Sequence, residues 1–232
     1  MNRLSHKFLR FVLFLLVGIG GISCSEPPSP EELAAAEQVG APGIYAQVCA
    51  ACHGAAGEGK EELFSPSITG LPVWYVEEQL QKFRGEQRGI HPEDVPGQQM
   101  RAISLTLTDE QIAEATAAVA AMPIIRTQPT TEPFDLEKAR YRYANECMEC
   151  HRYNGMGDRV FHSAPLVTLN RSYLRRQLEN YRGGRRGVVE EDLYGQKMVA
   201  ITQRLTDEEI ELFVNYIGAL AQGDDPREAR EK

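Results

Sequence analysis

Residues 49–53 read CAACH and residues 147–151 read CMECH. In both, two thiols stand at i and i+3 with an imidazole at i+4, so one helical turn brings all three side chains onto one face. Laid over itself at an offset of 98 residues, the chain pairs Cys49 with Cys147, Cys52 with Cys150 and His53 with His151. The register holds without a gap. Tyr45 meets Tyr143, Gly57 and Gly59 meet Gly155 and Gly157, Tyr75 and Gln79 meet Tyr173 and Gln177, and LTDE at 107–110 meets LTDE at 205–208. Arg84, Gly85, Arg88 and Gly89 likewise meet Arg182, Gly183, Arg186 and Gly187. The repeated unit is too long for a solenoid repeat and predicts two similar domains in tandem.

Each half reads as helical, giving an all-α fold. The stretch around Cys49 lacks strand alternation and ends at Gly54, a helix stop. Val76, Leu80 and Phe83, and in the second half Leu174, Leu178 and Tyr181, stand at i, i+4 and i+7, one apolar stripe per helix, each closed by glycine. Thr108 with Gln111 and Thr206 with Glu209 have capping-box spacing and open the last helix of each half. The segment between the cysteines and the middle helix is rich in Gly, Ser and Pro, a connection long enough to wrap a ligand.

The 232 residues begin with basic positions (Arg3, Lys7, Arg10) followed by an apolar run from Phe11 to Val17, the build of a secretory signal. A membrane span needs about 20 apolar residues, and this run is shorter. The sequence GISC before Ser25 resembles a bacterial lipobox, which makes Cys24 the candidate for lipidation. Gly21 departs from that pattern, so ordinary cleavage or an uncleaved anchor stays open. Five cysteines less the four in the two motifs leave Cys24 over, in keeping with lipidation. The chain thus divides into signal 1–23, a Pro/Ser/Glu tether 24–39, first domain 40–125, linker 126–133, second domain 134–222 and a frayed tail 223–232.

C-x-x-C-H is the pattern of covalent haem c attachment. Two thiols on one face reach the vinyl groups of one porphyrin while the following imidazole comes under the iron. A zinc site would require the two cysteine pairs to converge from separate repeats, and a thioredoxin-like pair would require a βαβ context that is missing; two disulfides are conceivable in an exported chain. Two complete motifs at matched positions favour two haem c groups, attached at Cys49, Cys52, Cys147 and Cys150, with His53 and His151 as iron ligands. Met100 and Met198 lie equally far beyond those histidines, whereas Met122, Met148 and Met156 have no methionine partner at the offset. Met100 and Met198 are therefore the candidate second iron ligands, and Met/His ligation raises the reduction potential. Irons closed by protein ligands leave no position for a substrate, so the expectation is electron transfer and no enzymatic activity.

These residues resemble the dihaem class I cytochromes similar to cytochrome c4: tandem CxxCH domains, a Y…QL…F/Y…G…R middle helix, and a methionine ahead of an L(T/S)DE helix. The resemblance implies two small helical haem domains packed about an approximate two-fold, carrying electrons between respiratory or oxidative partners outside the cytoplasm. The second loop, CHRYNGMGDRVFHSAP, departs from the usual small-residue form.

The net charge is −8. From Ile44 to Ile125 acids outnumber bases, whereas from Phe134 to Gln222 they balance, so the molecule carries a dipole suited to steering redox partner proteins. An acidic, exported chain excludes nucleic acid. Arg84 and Arg182 are candidate contacts of the haem propionates, and Tyr75 and Tyr173 candidate pocket linings. Alternatives to a free carrier are a cytochrome subunit of a membrane-associated dehydrogenase complex and a dihaem peroxidase-like enzyme. No small-molecule substrate is expected, and the membrane contact would be through the lipid anchor.

Overall fold

The structure, a computed structural model, describes residues 43–227. The expected signal, lipidation site at Cys24 and tether lie outside the described residues. In the first half a π-helical turn, Tyr45–Cys49, runs into α1 (Ala50–His53), followed by α2 (Val73–Arg84), α3 (Val95–Thr106) and α4 (Asp109–Ala120). The second half repeats the plan with α5 (Leu136–Glu146), α6 (Met148–His151), α7 (Arg171–Arg182), α8 (Leu193–Thr202) and α9 (Asp207–Ala221). Among the described residues there is no strand; two isolated bridges, Lys60 with Ser65 and Asp158 with Ser163, close the loops after the cysteines at the same offset. The expected all-α duplication is thus observed.

Local chemistry explains the element ends. Thr108 and Thr206 each accept from the N3 backbone N–H while Gln111 and Glu209 return a side-chain acceptor, completing both expected capping boxes. The α2 and α7 stripes end at Gly85 and Gly183, whose N–H groups donate to Gln81 and Glu179 carbonyls at 2.8 Å. The helix α3 was not legible as an element in the sequence. Its N-terminus is capped by Asp94, which accepts from the Gly97 N–H at 3.2 Å, and Asp192 caps α8 through Gly195 at 3.0 Å. Gly89 and Gly187 have φ of 74° and 78°, and a Cβ there would stand 2.3 Å and 2.6 Å from the Gly97 and Gly195 carbonyl oxygens. These matched glycines let the loop after the middle helix touch the start of the next.

Buried side chains form two clusters in the first half and one core in the second. In the first, Leu80, Leu107, Ile112 and Ala115 join α2 to α4, with Tyr45, Leu71, Tyr75 and Val119 beside them. The core of the second half is larger: α9 has 15 residues against 12 in α4, and it buries Ile210, Phe213, Val214, Tyr216 and Ile217 against Ala139 and Tyr143 of α5.

One sequence expectation changes, that of the tail. The linker itself is pinned to the second half, buried Thr127 donating its N–H to Val167 and its hydroxyl to Leu169 carbonyls, both at 2.8 Å, while just before it Ile125 N–H donates to Thr69 Oγ1 at 3.0 Å. Residues 223–227 are not a frayed end. Arg140 donates through Nε and Nη2 to the Asp224 carboxylate, and Arg227 stacks 3.9 Å over the Tyr153 ring, so charge pairing docks this polar segment on the second domain.

The halves meet through reciprocal contacts. Lys82 Nζ donates to Asp192 Oδ1 at 2.9 Å, and its duplicate position, Asn180, donates to Asp94 at 3.3 Å. Likewise Arg176 Nη2 donates to the Phe64 carbonyl at 2.6 Å, while its duplicate, Glu78, pairs with His162 at 2.7 Å. Each pair is the other carried through the duplication, as an approximate two-fold requires. Phe64 and His162 both hold positive φ, 56° and 50°, a left-handed backbone strained for these residue types, so both turns are held by their surroundings.

Thermal unfolding of the holoprotein tests these assignments. Thr206→Ala should lower stability by about 1 kcal/mol through loss of the cap. Gly187→Ala should cost about 2 kcal/mol or more, since positive φ and contact with backbone both oppose the methyl group. Equal effects would contradict this ranking.

Candidate haem clefts

Two clefts, one per half, each enclose about 1250 Å³ counted out to the mouth. The first is lined by Cys49, Cys52, His53 and Met100, the second by Cys147, Cys150, His151 and Met198. All eight residues singled out in the sequence are therefore gathered into two sets of four. The two cysteine pairs face different clefts, which removes the converging zinc site weighed above.

The imidazoles are positioned by their own loops. His53 Nδ1 lies 2.9 Å from the Pro66 carbonyl and His151 Nδ1 lies 2.9 Å from the Ala164 carbonyl. A carbonyl only accepts, so Nδ1 carries the proton and Nε2 keeps its lone pair for a metal. Burial pushes both histidines below their ordinary range, against the smaller opposing effect of the carbonyl bonds, so both are neutral. The tyrosines before the motifs brace the same turns: Tyr45 donates to the Gly54 carbonyl at 2.7 Å and Tyr143 to the Arg152 carbonyl at 2.9 Å.

Burial pushes the Cys49 thiol up to about 11, assisted by neighbouring Cys52, and Cys147 up to about 12, assisted by Glu146. A thiolate is disfavoured at both, unlike the exposed, electropositive surroundings that mark redox-active cysteines. Met100 and Met198 sit within α3 and α8, elements separate from those of the histidines, so each cleft has nitrogen and sulfur donors on different walls.

The second loop departs from the first in residue type and keeps its path. Arg152 occupies φ 67° where the first half has Gly54 at 84°; it pairs with Asp158 and lies 5.3 Å over the Phe161 ring. Gly155 and Gly157 keep the positive φ of Gly57 and Gly59. The different side chains thus alter the cleft mouth and leave the histidine's carbonyl partner in place.

Arg84 and Arg182 do not reach the clefts. They pair with Asp109 and Asp207 in the first turns of α4 and α9, because the last turn of α2 and α7 faces those helix starts. Arg88 and Arg186, four residues further on, line the first and second cleft instead. Tyr75 and Tyr173 line both. The matched RxxxR spacing held the signal for these deeper arginines, but spacing alone does not say which arginine turns inward.

Whether these residues fit a haem is decided by donors and charge. The clefts are largely apolar, with two thiols, a neutral imidazole and a thioether sulfur in each. Arg88 is 8% exposed, and its Nε, like that of Arg176 in the same cleft, is buried without a hydrogen-bond partner. Unpaired buried guanidinium donors call for anionic acceptors. An apolar macrocycle with iron at its centre and carboxylates on its edge fits the donors of both clefts and would give the two guanidinium groups of the first their acceptors.

A family model for cytochrome c matches residues 41–119 and 136–221. The chain is 29% identical over 186 residues to a "Thiosulfate dehydrogenase electron acceptor" of Stutzerimonas stutzeri (strain A1501), covering 76% of this chain and 81% of that protein. It is also 29% identical over 202 residues to a "Cytochrome c4" of Thiocapsa roseopersicina, covering 82% and 97%. Reduced recombinant cytochrome c4 from Pseudomonas stutzeri shares the fold with a TM-score of 0.61 at 22% identity, over 75% of this chain and 95% of that one. With one matched region around each cleft, the chain belongs to the cytochrome c family, as a dihaem class I protein similar to cytochrome c4 with two covalently bound haem c groups.

Proposed function

We propose that this dihaem electron carrier passes single electrons between protein partners outside the cytoplasm and performs no bond chemistry of its own. The observation that carries the reading is the matched donor set: His53 with Met100 in one cleft, His151 with Met198 in the other. Bound haem iron supplies a one-electron couple. Cys49 and Cys52, and in the second domain Cys147 and Cys150, hold it through thioether bonds. The Nδ1–H bonds to the Pro66 and Ala164 carbonyls aim each Nε2 and raise its basicity. Met100 and Met198 would hold the iron through their thioether sulfurs, a ligation that would exclude substrate and favour the reduced state. Apolar neighbours such as Leu80, Val119, Leu174 and Ile217 keep water from the centre.

Under this reading the signal exports the chain, lipidated Cys24 holds it at the periplasmic face of a membrane, and residues 24–39 give it reach toward its partners. The partners are redox proteins, not nucleic acids or small molecules. A second reading, the electron-accepting cytochrome of a dehydrogenase, is favoured by the relative named as a thiosulfate dehydrogenase electron acceptor. Reduction of this protein by such a dehydrogenase with its substrate would support that assignment, and no reduction would leave the general carrier.

Met100→Ala and Met198→Ala should each remove about half of the Met-to-iron absorption and lower one of the two potentials. An unchanged spectrum would mean that another residue closes the iron. Cys24→Ser should release the protein from the membrane fraction into the soluble one, since the lipid supplies the anchorage. Persistent attachment would exclude lipidation as the sole anchor.

A further inference from the structure

Between the clefts lies a polar layer one side chain thick. Tyr75, Gln79, Tyr173 and Gln177 line both clefts, two contributed by α2 and two by α7. Arg88 and Arg186 are set into this layer, each 8% exposed. Arg88, from the first half, donates to the Tyr173 hydroxyl of the second at 2.7 Å as well as to Gln79 of its own half at 2.9 Å. Arg186, from the second half, donates to Gln79 of the first at 3.0 Å and to Gln177 at 2.7 Å. Each guanidinium thus stands in one cleft and is bonded across to the other half.

Their charge is only partly met by protein: Asp192 attracts Arg186 without forming an ion pair with it. Among the described residues neither arginine forms an ion pair with a carboxylate. The two interface aspartates are otherwise engaged, Asp192 with Lys82 at 2.9 Å and Asp94 with the start of α3 and with Asn180. Aromatic faces share the load: Arg88 lies 4.5 Å over Phe83 and Arg186 lies 4.6 Å over Tyr181. Such faces and neutral acceptors offset part of the cost of burying a cation but do not neutralise it. Two buried cations so close to one another also repel, and anions entering from the clefts would relieve both.

We infer that Arg88 and Arg186 form one cationic layer shared by the clefts, each anchoring the carboxylates of the haem in its own cleft and helping to set the reduction potential of the other haem. The inference rests on the two-haem reading. A buried positive charge favours the reduced iron, which carries one positive charge fewer, and in a poorly polar interior that influence reaches both centres. Arg88 and Arg186 are positioning residues here: they act on the irons through charge and through the shared Gln79, Gln177 and Tyr173.

The test is a spectroelectrochemical titration resolving the two haems in the full exported protein and in Arg88→Gln, Arg186→Gln and Arg88→Lys. Covalent haem content is measured on each. Both Gln variants should lower both midpoint potentials, the haem of the altered cleft more. Arg88→Lys, which keeps the charge without the planar fork, should recover part of the shift in both. A shift confined to the haem of the altered cleft, or none, in variants carrying both haems would overturn the shared layer. If one Gln variant fails to load haem, the other Gln variant decides by the same criterion; if both fail, loss of haem from both clefts supports the shared layer and loss confined to the altered cleft overturns it. Absence of two haems from the unaltered protein would instead contradict the two-haem reading itself.

Discussion

A flat, rigid macrocycle that must be grasped from two walls is the constraint on which each domain depends. One helical turn supplies two thiols and an imidazole, and a separate helix supplies the thioether. The loop between them therefore has to return to the imidazole, which it does by placing the Pro66 or Ala164 carbonyl 2.9 Å from Nδ1. That single bond sets the tautomer, the ring orientation and the path of the loop. The positive-φ glycines after the cysteines and the Asp-capped starts of α3 and α8 follow from the same need to enclose a plate.

Duplication adds a second constraint, because two copies of one surface meet. Contacts then come in reciprocal pairs, and sequence divergence changes their chemistry without moving them. Lys82 with Asp192 is an ion pair where Asn180 with Asp94 is a neutral donor on a carboxylate. Phe64 beneath Arg176 is an aromatic face under a cation, at 5.5 Å, where His162 with Glu78 is an acid–base pair. The halves are equivalent in architecture and inequivalent in local charge, which is a physical basis for giving two similar haems different surroundings.

Much of the site was legible because its residues have chemistry that nothing else supplies. A thiol pair with an adjacent imidazole, repeated in register, has few uses, and a methionine matched at the same offset stands out from unmatched ones. Helix stops at Gly85 and Gly183 and the threonine caps were readable because they act within a few residues. What escaped depends on distant partners. Arg84 and Arg182 share the matched spacing of Arg88 and Arg186, and only the packed structure turns the first pair toward Asp109 and Asp207 and the second inward. The tail from Gly223 reads as frayed, yet Asp224 meets Arg140 across 84 residues of sequence. The α3 helix is carried by an aspartate cap and by contact with α2 more than by an apolar stripe, so periodicity did not find it.

The central claim is that each cleft carries its own covalently bound haem. Intact-protein mass spectrometry of the exported chain, under denaturing conditions, measures this directly. The account predicts a mass equal to the processed chain plus two haem groups, falling by one haem when both Cys147 and Cys150 are replaced by serine. A mass corresponding to one haem or none in the unaltered protein would contradict it.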